Sequence, residues 1–116
     1  MVQHVTLELR RDQAAECVAF WGLLGFERVE PPPSLAERAA WMENGPTQIH
    51  LMWVDDPVAL PHGHVAVVLE DYDDTLAALR EAGAEPEPRT EHWDSPRAYV
   101  HDPAGNLVEL MASPPR

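Results

Sequence analysis

Apolar and polar side chains alternate along the first segment of the chain, residues 3–9. Val5, Leu7 and Leu9 are apolar, whereas the residues between them, like His4 before them, are polar. Successive side chains of a β-strand point to opposite faces of the sheet. The alternation therefore predicts a strand with one buried face, and it puts His4 on the opposite face.

Helical spacing replaces the alternation after Asp12, a residue type that is common at a helix N-cap. Gly25 is a residue type that commonly ends a helix. Apolar residues follow one another at the three- to four-residue spacing of a helix with one buried face. They are Cys17, Phe20, Trp21 and Leu24. The pattern predicts a helix over residues 13–24 with Cys17 in the core, and a reactive thiol is the alternative for Cys17.

The rest of the chain repeats this order. Three more strands are predicted in the first half, over residues 26–30, 38–43 and 47–54, and the second half reads as strand, helix and three strands over residues 64–69, 73–83, 85–90, 97–102 and 106–111. The fold class is therefore α+β, with two βαβββ modules, residues 1–54 and 62–113. Residues 55–61 form a linker within a single domain.

The two modules also repeat each other in chemistry. Superposing them puts His4 on His64 and His50 on Glu109. On each strand the polar candidate lies opposite the aliphatic face that should pack on a helix. We therefore expect the four side chains to line one concave surface, although polar residues on the exposed face of a one-sided sheet would show the same parity.

Imidazole and carboxylate ligands together suit a divalent transition metal such as Zn²⁺, Ni²⁺, Mn²⁺, Fe²⁺ or Co²⁺. His4, His64 and Glu109 are the predicted ligands, and His50 is either a fourth ligand or a base. Such a set leaves coordination positions open for water or a substrate oxygen, which the metal can polarise.

The composition of the chain argues against nucleic acid and a membrane as binding partners. The 116 residues include 20 acidic and 8 basic ones, for a formal net charge of −12. Such a charge disfavours nucleic acid, and there is no apolar run long enough to span a bilayer. The start of the chain lacks the pattern of a secretory signal, and a single cysteine fits a reducing compartment, so a cytoplasmic location is expected.

Three motifs resemble those of the vicinal oxygen chelate superfamily, which includes glyoxalase I, fosfomycin-resistance thiol transferases, extradiol dioxygenases and bleomycin-resistance proteins. They are His4-Val5-Thr6-Leu7, Phe20-Trp21-(x)2-Leu24-Gly25-Phe26, and Asp102-Pro103-Ala104-Gly105-Asn106-Leu107-Val108-Glu109-Leu110. The resemblance implies a curved eight-stranded mixed sheet around a metal-holding cavity. It also implies a homodimer, in which the site lies within one chain or is shared between two.

Carried over position by position, the resemblance matches His4, His64 and Glu109 to the superfamily's metal ligands. His50 falls where glyoxalase I proteins have a carboxylate that ligates metal and shuttles protons. Tyr99 falls where fosfomycin-resistance enzymes carry a cavity tyrosine. His50 and Tyr99 are accordingly the catalytic candidates, and the imidazole at position 50 departs from the glyoxalase I pattern.

Further side chains are candidates for substrate binding. Arg97, Tyr99 and His101 share one strand face, so Arg97 could bind an anionic group and Tyr99 could donate a proton. Arg97 as a rim residue and Tyr99 as a packing aromatic are the alternatives. Trp41 is expected to face the cavity or its lip, or to pack in the core.

These expectations combine into a small metal-dependent enzyme of the lyase or isomerase, thiol-transferase or dioxygenase type, acting on a small oxygen-chelating substrate. The alternative is an acidic protein of the bleomycin-resistance type, which sequesters a cationic aromatic drug without catalysis. The net charge of −12 fits that alternative, whereas three intact metal ligands do not. A metal-free domain that binds a protein partner is a third possibility.

Overall fold

Each half of the chain folds as one helix and four strands, in the order that the hydrophobic pattern predicts. The computed structural model describes all residues, 1–116. The first module contains β1 (His4–Leu9), α1 (Ala14–Leu23), β2 (Glu27–Val29), β3 (Ala39–Asn44) and β4 (Thr47–Trp53). The second contains β5 (Val65–Val68), α2 (Tyr72–Glu81), β6 (Glu87–Pro88), β7 (Arg97–His101) and β8 (Leu107–Met111).

The strands form two four-stranded sheets, with strand orders β1-β4-β3-β2 and β5-β8-β7-β6. In each sheet the first pair is parallel and the other pairs are antiparallel. The two sheets are thus the same mixed sheet built twice, which confirms the predicted pair of βαβββ modules. The strands β1 and β5 each form one edge of their sheet, and no hydrogen-bonded strand pair joins the two sheets.

Both helices pack into one hydrophobic core. Cys17 and Trp21 of α1 belong to the same buried cluster as Leu76 and Leu79 of α2. Cys17 is fully buried, and burial raises the pKa of its thiol to about 12. The burial confirms the prediction of a core cysteine. The raised pKa argues against the alternative of a reactive thiol, because such a thiol carries almost no thiolate at neutral pH.

The predicted strand parity is also found. Leu9, Ile49 and Leu51 are buried on the helix side of the first sheet, and Val108 and Leu110 are buried on the helix side of the second. The polar candidates alternate with these residues and so lie on the opposite face of each sheet.

The start of α1 differs from the prediction. Asp12 lies in a short 3-10 helix, Arg11–Gln13, and α1 begins only at Ala14. The side chain of Gln13 accepts a hydrogen bond from the backbone N–H of Arg10 at 2.9 Å, while Asp12 accepts one from the Arg10 side chain. Asp12 is therefore not the N-cap, because its carboxylate is held by a guanidinium and not by the helix backbone.

The two outer strands β2 and β6 are shorter than predicted, with three and two residues. In β6 the proline at position 88 has no N–H to donate to a ladder. His64 also lies just before β5, which begins at Val65, and not within the strand. Neither helix has the length and apolar character that crossing a membrane requires.

The motif near the C-terminus forms the turn between β7 and β8. Asp102 Oδ1 accepts hydrogen bonds from the backbone N–H groups of Ala104 and Asn106, both at 2.9 Å, and Oδ2 accepts one from Asn106 Nδ2 at 3.1 Å. Gly105 supplies the positive φ of 89° that the turn requires. Asn106 Nδ2 also donates to the Glu8 carbonyl at 3.2 Å. The motif therefore builds a turn and ties it to β1, and its Glu109 alone is left for chemistry.

Candidate metal site

On the first sheet, three aromatic rings lie one above another. The Trp41 and His50 ring centroids are 4.1 Å apart with 3° between the planes. The His50 and His4 centroids are 4.0 Å apart with 15° between the planes. Trp41 and His50 are direct cross-strand partners on β3 and β4, and His4 lies on the adjacent β1. We refer to these three rings as the ring stack.

The central ring of the stack is also held at its edge. His50 Nε2 lies 2.7 Å from Gln48 Oε1, and Gln48 Nε2 donates to Glu43 Oε1 at 2.9 Å. We call these three side chains the amide relay. His50 is 9% exposed, and burial together with the nearby His4 lowers the pKa of its imidazole. The neutral ring is therefore favoured at position 50.

On the second sheet, the candidates form close polar contacts. His64 Nε2 lies 3.0 Å from Glu109 Oε1, and His64 Nδ1 lies 2.8 Å from the His62 carbonyl oxygen. Arg97 Nη1 donates to Glu109 Oε2 at 3.2 Å. Both Arg97 and Glu109 are buried, at 9% and 8% exposure. His64, Glu109 and Arg97 are called the charged cluster below.

Arg97 is directed at Glu109 and not into open space. Its Nε donates to the Thr90 carbonyl at 2.7 Å, and its guanidinium lies 5.9 Å from the Trp93 ring centroid and 5.3 Å from that of Tyr99. Two of its three nitrogens are thus engaged by the protein. Neutralising the Glu109 carboxylate is the role that these contacts support, and it differs from both roles considered from the sequence.

Tyr99 borders the charged cluster, whereas His101 does not. The Tyr99 ring centroid is 5.3 Å from the His64 ring centroid. The Arg89 guanidinium lies 5.0 Å from the Tyr99 ring centroid. His101 is exposed at the end of β7 and lines a different cavity, of about 640 Å³, next to α1 and α2. The shared strand parity of Tyr99 and His101 therefore does not bring both to one site.

The four metal-capable candidates form two pairs, each on its own sheet. His4 and His50 meet in the ring stack, and His64 and Glu109 meet in the charged cluster. Within one chain no group of three or more His, Cys, Asp or Glu side chains could hold a metal ion. The expected convergence of all four candidates is therefore absent from the single chain.

A cavity of about 650 Å³ lies between the edge strands β1 and β5. His64 lines it, together with Thr6 and Glu8 of β1. Val58 and Leu60 of the linker also line it and are more than half exposed. The charged cluster thus borders open space at the junction of the two modules.

Sequence reasoning missed the partners that orient the candidates. Gln48 and Glu43 are cross-strand neighbours on β4 and β3, and Gln48 is two residues from His50 on the same face. Strand parity could have found both. The carbonyl groups of His62 and Thr90 could not have been found, because every residue has a backbone carbonyl and the sequence does not indicate which of them accept hydrogen bonds.

Comparison with known proteins gives these residues a family context. A family model described as the glyoxalase/bleomycin resistance protein/dioxygenase superfamily matches residues 2–110. Among solved structures, a protein from Bacillus anthracis assigned to the glyoxalase family is 27% identical with a TM-score of 0.85, covering 96% of this chain and 93% of that one. No protein with a curated description matches the chain.

Two further structures share the fold. One is a mutant of the fosfomycin resistance protein FosX from Listeria monocytogenes, complexed with Mn(II) and 1S,2S-dihydroxypropylphosphonic acid; it is 18% identical with a TM-score of 0.75, covering 98% of this chain and 93% of that one. The other is lactoylglutathione lyase from Agrobacterium tumefaciens, 20% identical with a TM-score of 0.70, covering 96% and 92%.

Proposed function

The chain belongs to the glyoxalase/bleomycin resistance protein/dioxygenase superfamily, and from this premise we propose that it is a divalent-metal-dependent enzyme. Its substrate would be a small molecule that binds the metal through one or two neighbouring oxygen atoms. Zn²⁺, Ni²⁺, Mn²⁺, Fe²⁺ and Co²⁺ are the candidate ions, because imidazole and carboxylate suit all of them.

The observation that carries this proposal is the contact between His64 and Glu109. The His62 carbonyl can only accept a hydrogen bond, so His64 Nδ1 must carry a proton. Nε2 faces the carboxylate Oε1 at 3.0 Å, so a proton on Nε2 would donate to Oε1, whereas in the neutral ring the lone pair of Nε2 is free to bind a cation. A cation at this point would satisfy both atoms.

The spacing of the two atoms also fits a metal ion. Two atoms that each lie about 2.0–2.2 Å from one ion can be at most about 4.4 Å apart, and His64 Nε2 and Glu109 Oε1, 3.0 Å apart, are within that limit. Arg97 holds Oε2 of the same carboxylate and so directs Oε1 towards His64. This arrangement supports His64 and Glu109 as two ligands of one ion.

The third ligand would be His4, and we propose that it comes from a second copy of the chain. His4 and His64 lie on different sheets, and each sheet ends in an unpaired edge, β1 or β5. Exposed apolar residues are found on and next to these strands; they are Val2, Val58, Leu60 and Val68. A homodimer would cover this surface and could bring His4 of the partner subunit to the charged cluster.

Two side chains, His50 and Tyr99, are candidates to transfer protons to and from the substrate. When bound, the metal ion would act as a Lewis acid that stabilises an oxyanion on the substrate. His50, with its lowered pKa, is a candidate base, and Tyr99 beside His64 is a candidate proton donor. Isomerase, lyase and thiol-transfer reactions all use such groups, while oxidative ring cleavage would use the same ligands with iron and dioxygen.

Metal analysis of tag-free protein tests the proposal. We expect about one ion per subunit, retained or taken up at micromolar concentration, and lost in Glu109→Gln. His92→Ala is the control, since His92 is an exposed histidine that is not among the predicted ligands. Wild-type protein that binds no ion at micromolar concentration would remove the enzyme proposal.

A drug-binding function of the bleomycin-resistance type is the second candidate. The net charge of −12 and the ring stack, whose Trp41 is a large aromatic surface, favour a cationic aromatic ligand. A titration with a cationic glycopeptide, followed by tryptophan fluorescence in the presence of a chelator, separates the two functions. Tight binding without metal would favour sequestration, and an unchanged spectrum would exclude it.

A further inference from the structure

The amide relay contains information about which nitrogen of His50 carries the proton. Gln48 bridges Glu43 and His50, with Nε2 towards the carboxylate and Oε1 towards the imidazole. An ionised carboxylate can only accept hydrogen bonds. Turning the Gln48 amide around would therefore place two acceptor oxygens against each other at 2.9 Å. The orientation of the amide is thus fixed by Glu43.

The fixed amide in turn determines the tautomer of the ring. Gln48 Oε1 lies 2.7 Å from His50 Nε2, and a carbonyl oxygen can only accept. His50 Nε2 must therefore carry a hydrogen. A neutral imidazole has one N–H group, so the lone pair is on Nδ1.

A half-turn of the His50 ring within its plane would put the carbon Cε1 in the place of Nε2 and lose the hydrogen bond to Gln48. Rotation out of the plane is blocked because the ring is held on both sides. It is stacked between Trp41 and His4, with centroid distances of 4.1 and 4.0 Å. The relay and the Trp41 side of the stack are set by one antiparallel hairpin, in which Glu43 faces Gln48 and Trp41 faces His50. The hairpin is built from regular strands, which hold a site more rigidly than loops do.

We propose that Glu43 and Gln48 are positioning residues that hold His50 in the tautomer with hydrogen on Nε2, so that Nδ1 is the atom that acts at the site. This inference rests on the proposed function, in which His50 is a base or a ligand. It deepens that function, because either role must then be performed through Nδ1. A ligand is likewise oriented by the hydrogen bond that its other nitrogen makes.

The tautomer can be read directly from long-range 1H–15N correlation spectra of the full-length labelled protein at pH 8. We expect the pattern of a protonated Nε2 for His50, with Nδ1 unprotonated or, in Zn²⁺-loaded protein, bound to metal. A protonated Nδ1 overturns the proposal. The same spectrum recorded with a chelator separates this result from the proposed function, since the relay should fix the tautomer even in a protein that binds no metal.

Glu43→Lys should reverse the relay. An ammonium group at position 43 can only donate, so it would take Gln48 Oε1 and turn the amide to present its NH2 group to His50. We expect the hydrogen to move from Nε2 to Nδ1. The spectrum of a folded Glu43→Lys variant in which Nε2 keeps its hydrogen would overturn the proposal.

Glu27→Lys is the matched control. Glu27 is the cross-strand partner of Glu43 on β2, it is exposed, and it makes no side-chain hydrogen bond to Gln48. The charge change is the same, so we expect the wild-type tautomer in this variant. A tautomer that also switches in Glu27→Lys would show that charge alone, and not the relay, sets it, and would overturn the proposal. Even if Glu43→Lys does not fold, the wild-type spectrum shows which nitrogen of His50 carries the hydrogen.

Discussion

The two modules have the same topology but hold their equivalent candidates by different physical means. His4 and His50 of the first module contact each other through parallel rings, and the edge of His50 is held by a side-chain amide. In the second module, the equivalent His64 and Glu109 meet edge to edge, and an arginine binds the carboxylate. The repeat therefore preserves backbone positions and not the interactions made there.

This difference assigns different roles to the two halves of the proposed site. Glu109 is buried with its charge, which is tolerated because Arg97 is buried beside it. His50 is buried without a charge, and burial lowers the pKa of its ring. The second module is suited to attract a cation, and the first is suited to supply a neutral base or ligand.

The comparison predicts that losing one side chain of a contacting pair lowers the unfolding free energy more in the second module than in the first. Arg97→Met leaves the Glu109 carboxylate buried without its cation, and removing one member of a buried pair costs about 3–5 kcal/mol of unfolding free energy. Urea denaturation monitored by circular dichroism measures this. Adding Glu109→Gln to Arg97→Met should recover part of the loss.

Arg28→Met serves as the matched control in the first module, because Arg28 is exposed on β2. Its effect should stay within about 0.5 kcal/mol. An Arg97→Met protein as stable as this control would show that the ion pair contributes nothing to the difference between the modules.

Metal affinity tests whether the two modules serve one ion. His4→Ala and His64→Ala should each lower the affinity for Zn²⁺ by at least about 100-fold, since even residues that only support a ligand change affinity by about 10- to 100-fold. Isothermal titration calorimetry gives both values. Wild-type affinity in His4→Ala would confine the site to the second module and contradict a site shared between subunits.

The two strand turns provide a further comparison. Asp102→Ala removes three hydrogen bonds within the β7–β8 turn and should cost about 2 kcal/mol. The β3–β4 turn begins at Asn44, which is exposed, so Asn44→Ala should stay within about 0.5 kcal/mol. Thermal unfolding of both variants measures the contrast. Equal losses would mean that the Asp102 side chain does not stabilise its turn.

Much of this arrangement could be predicted from the sequence, because strand parity is a local property. The alternation around His4, His50 and Glu109 correctly placed each on the face opposite the helices, and the repeat correctly indicated two equivalent modules. The three motifs together with the repeat correctly indicated the superfamily.

What could not be predicted depends on contacts that are not local. Whether His4 approaches His64 is determined by how two sheets pack around a shared core, and strand parity carries no information on that. The start of α1 is a local exception, because Gln13 accepts a hydrogen bond from the backbone N–H of Arg10, three residues earlier, and Asp12 does not cap the helix. The hydrogen bond of Arg97 to Thr90 likewise depends on a loop whose path the sequence does not specify, whereas its hydrogen bond to Glu109 joins same-face neighbours on β7 and β8.

The smallest expected effect concerns the amide relay of the first module. Gln48→Met removes a neutral hydrogen bond to His50 Nε2, which contributes about 0.5–1.5 kcal/mol net, and a hydrogen bond to the Glu43 carboxylate, which is half-buried and can bind water instead. We therefore expect a loss of about 1 kcal/mol in urea denaturation, well below that of Arg97→Met. A loss as large as that of Arg97→Met would contradict the distinction between the two modules, because it would mean that the half-buried Glu43 carboxylate depends on its partner as much as the buried Glu109 carboxylate does.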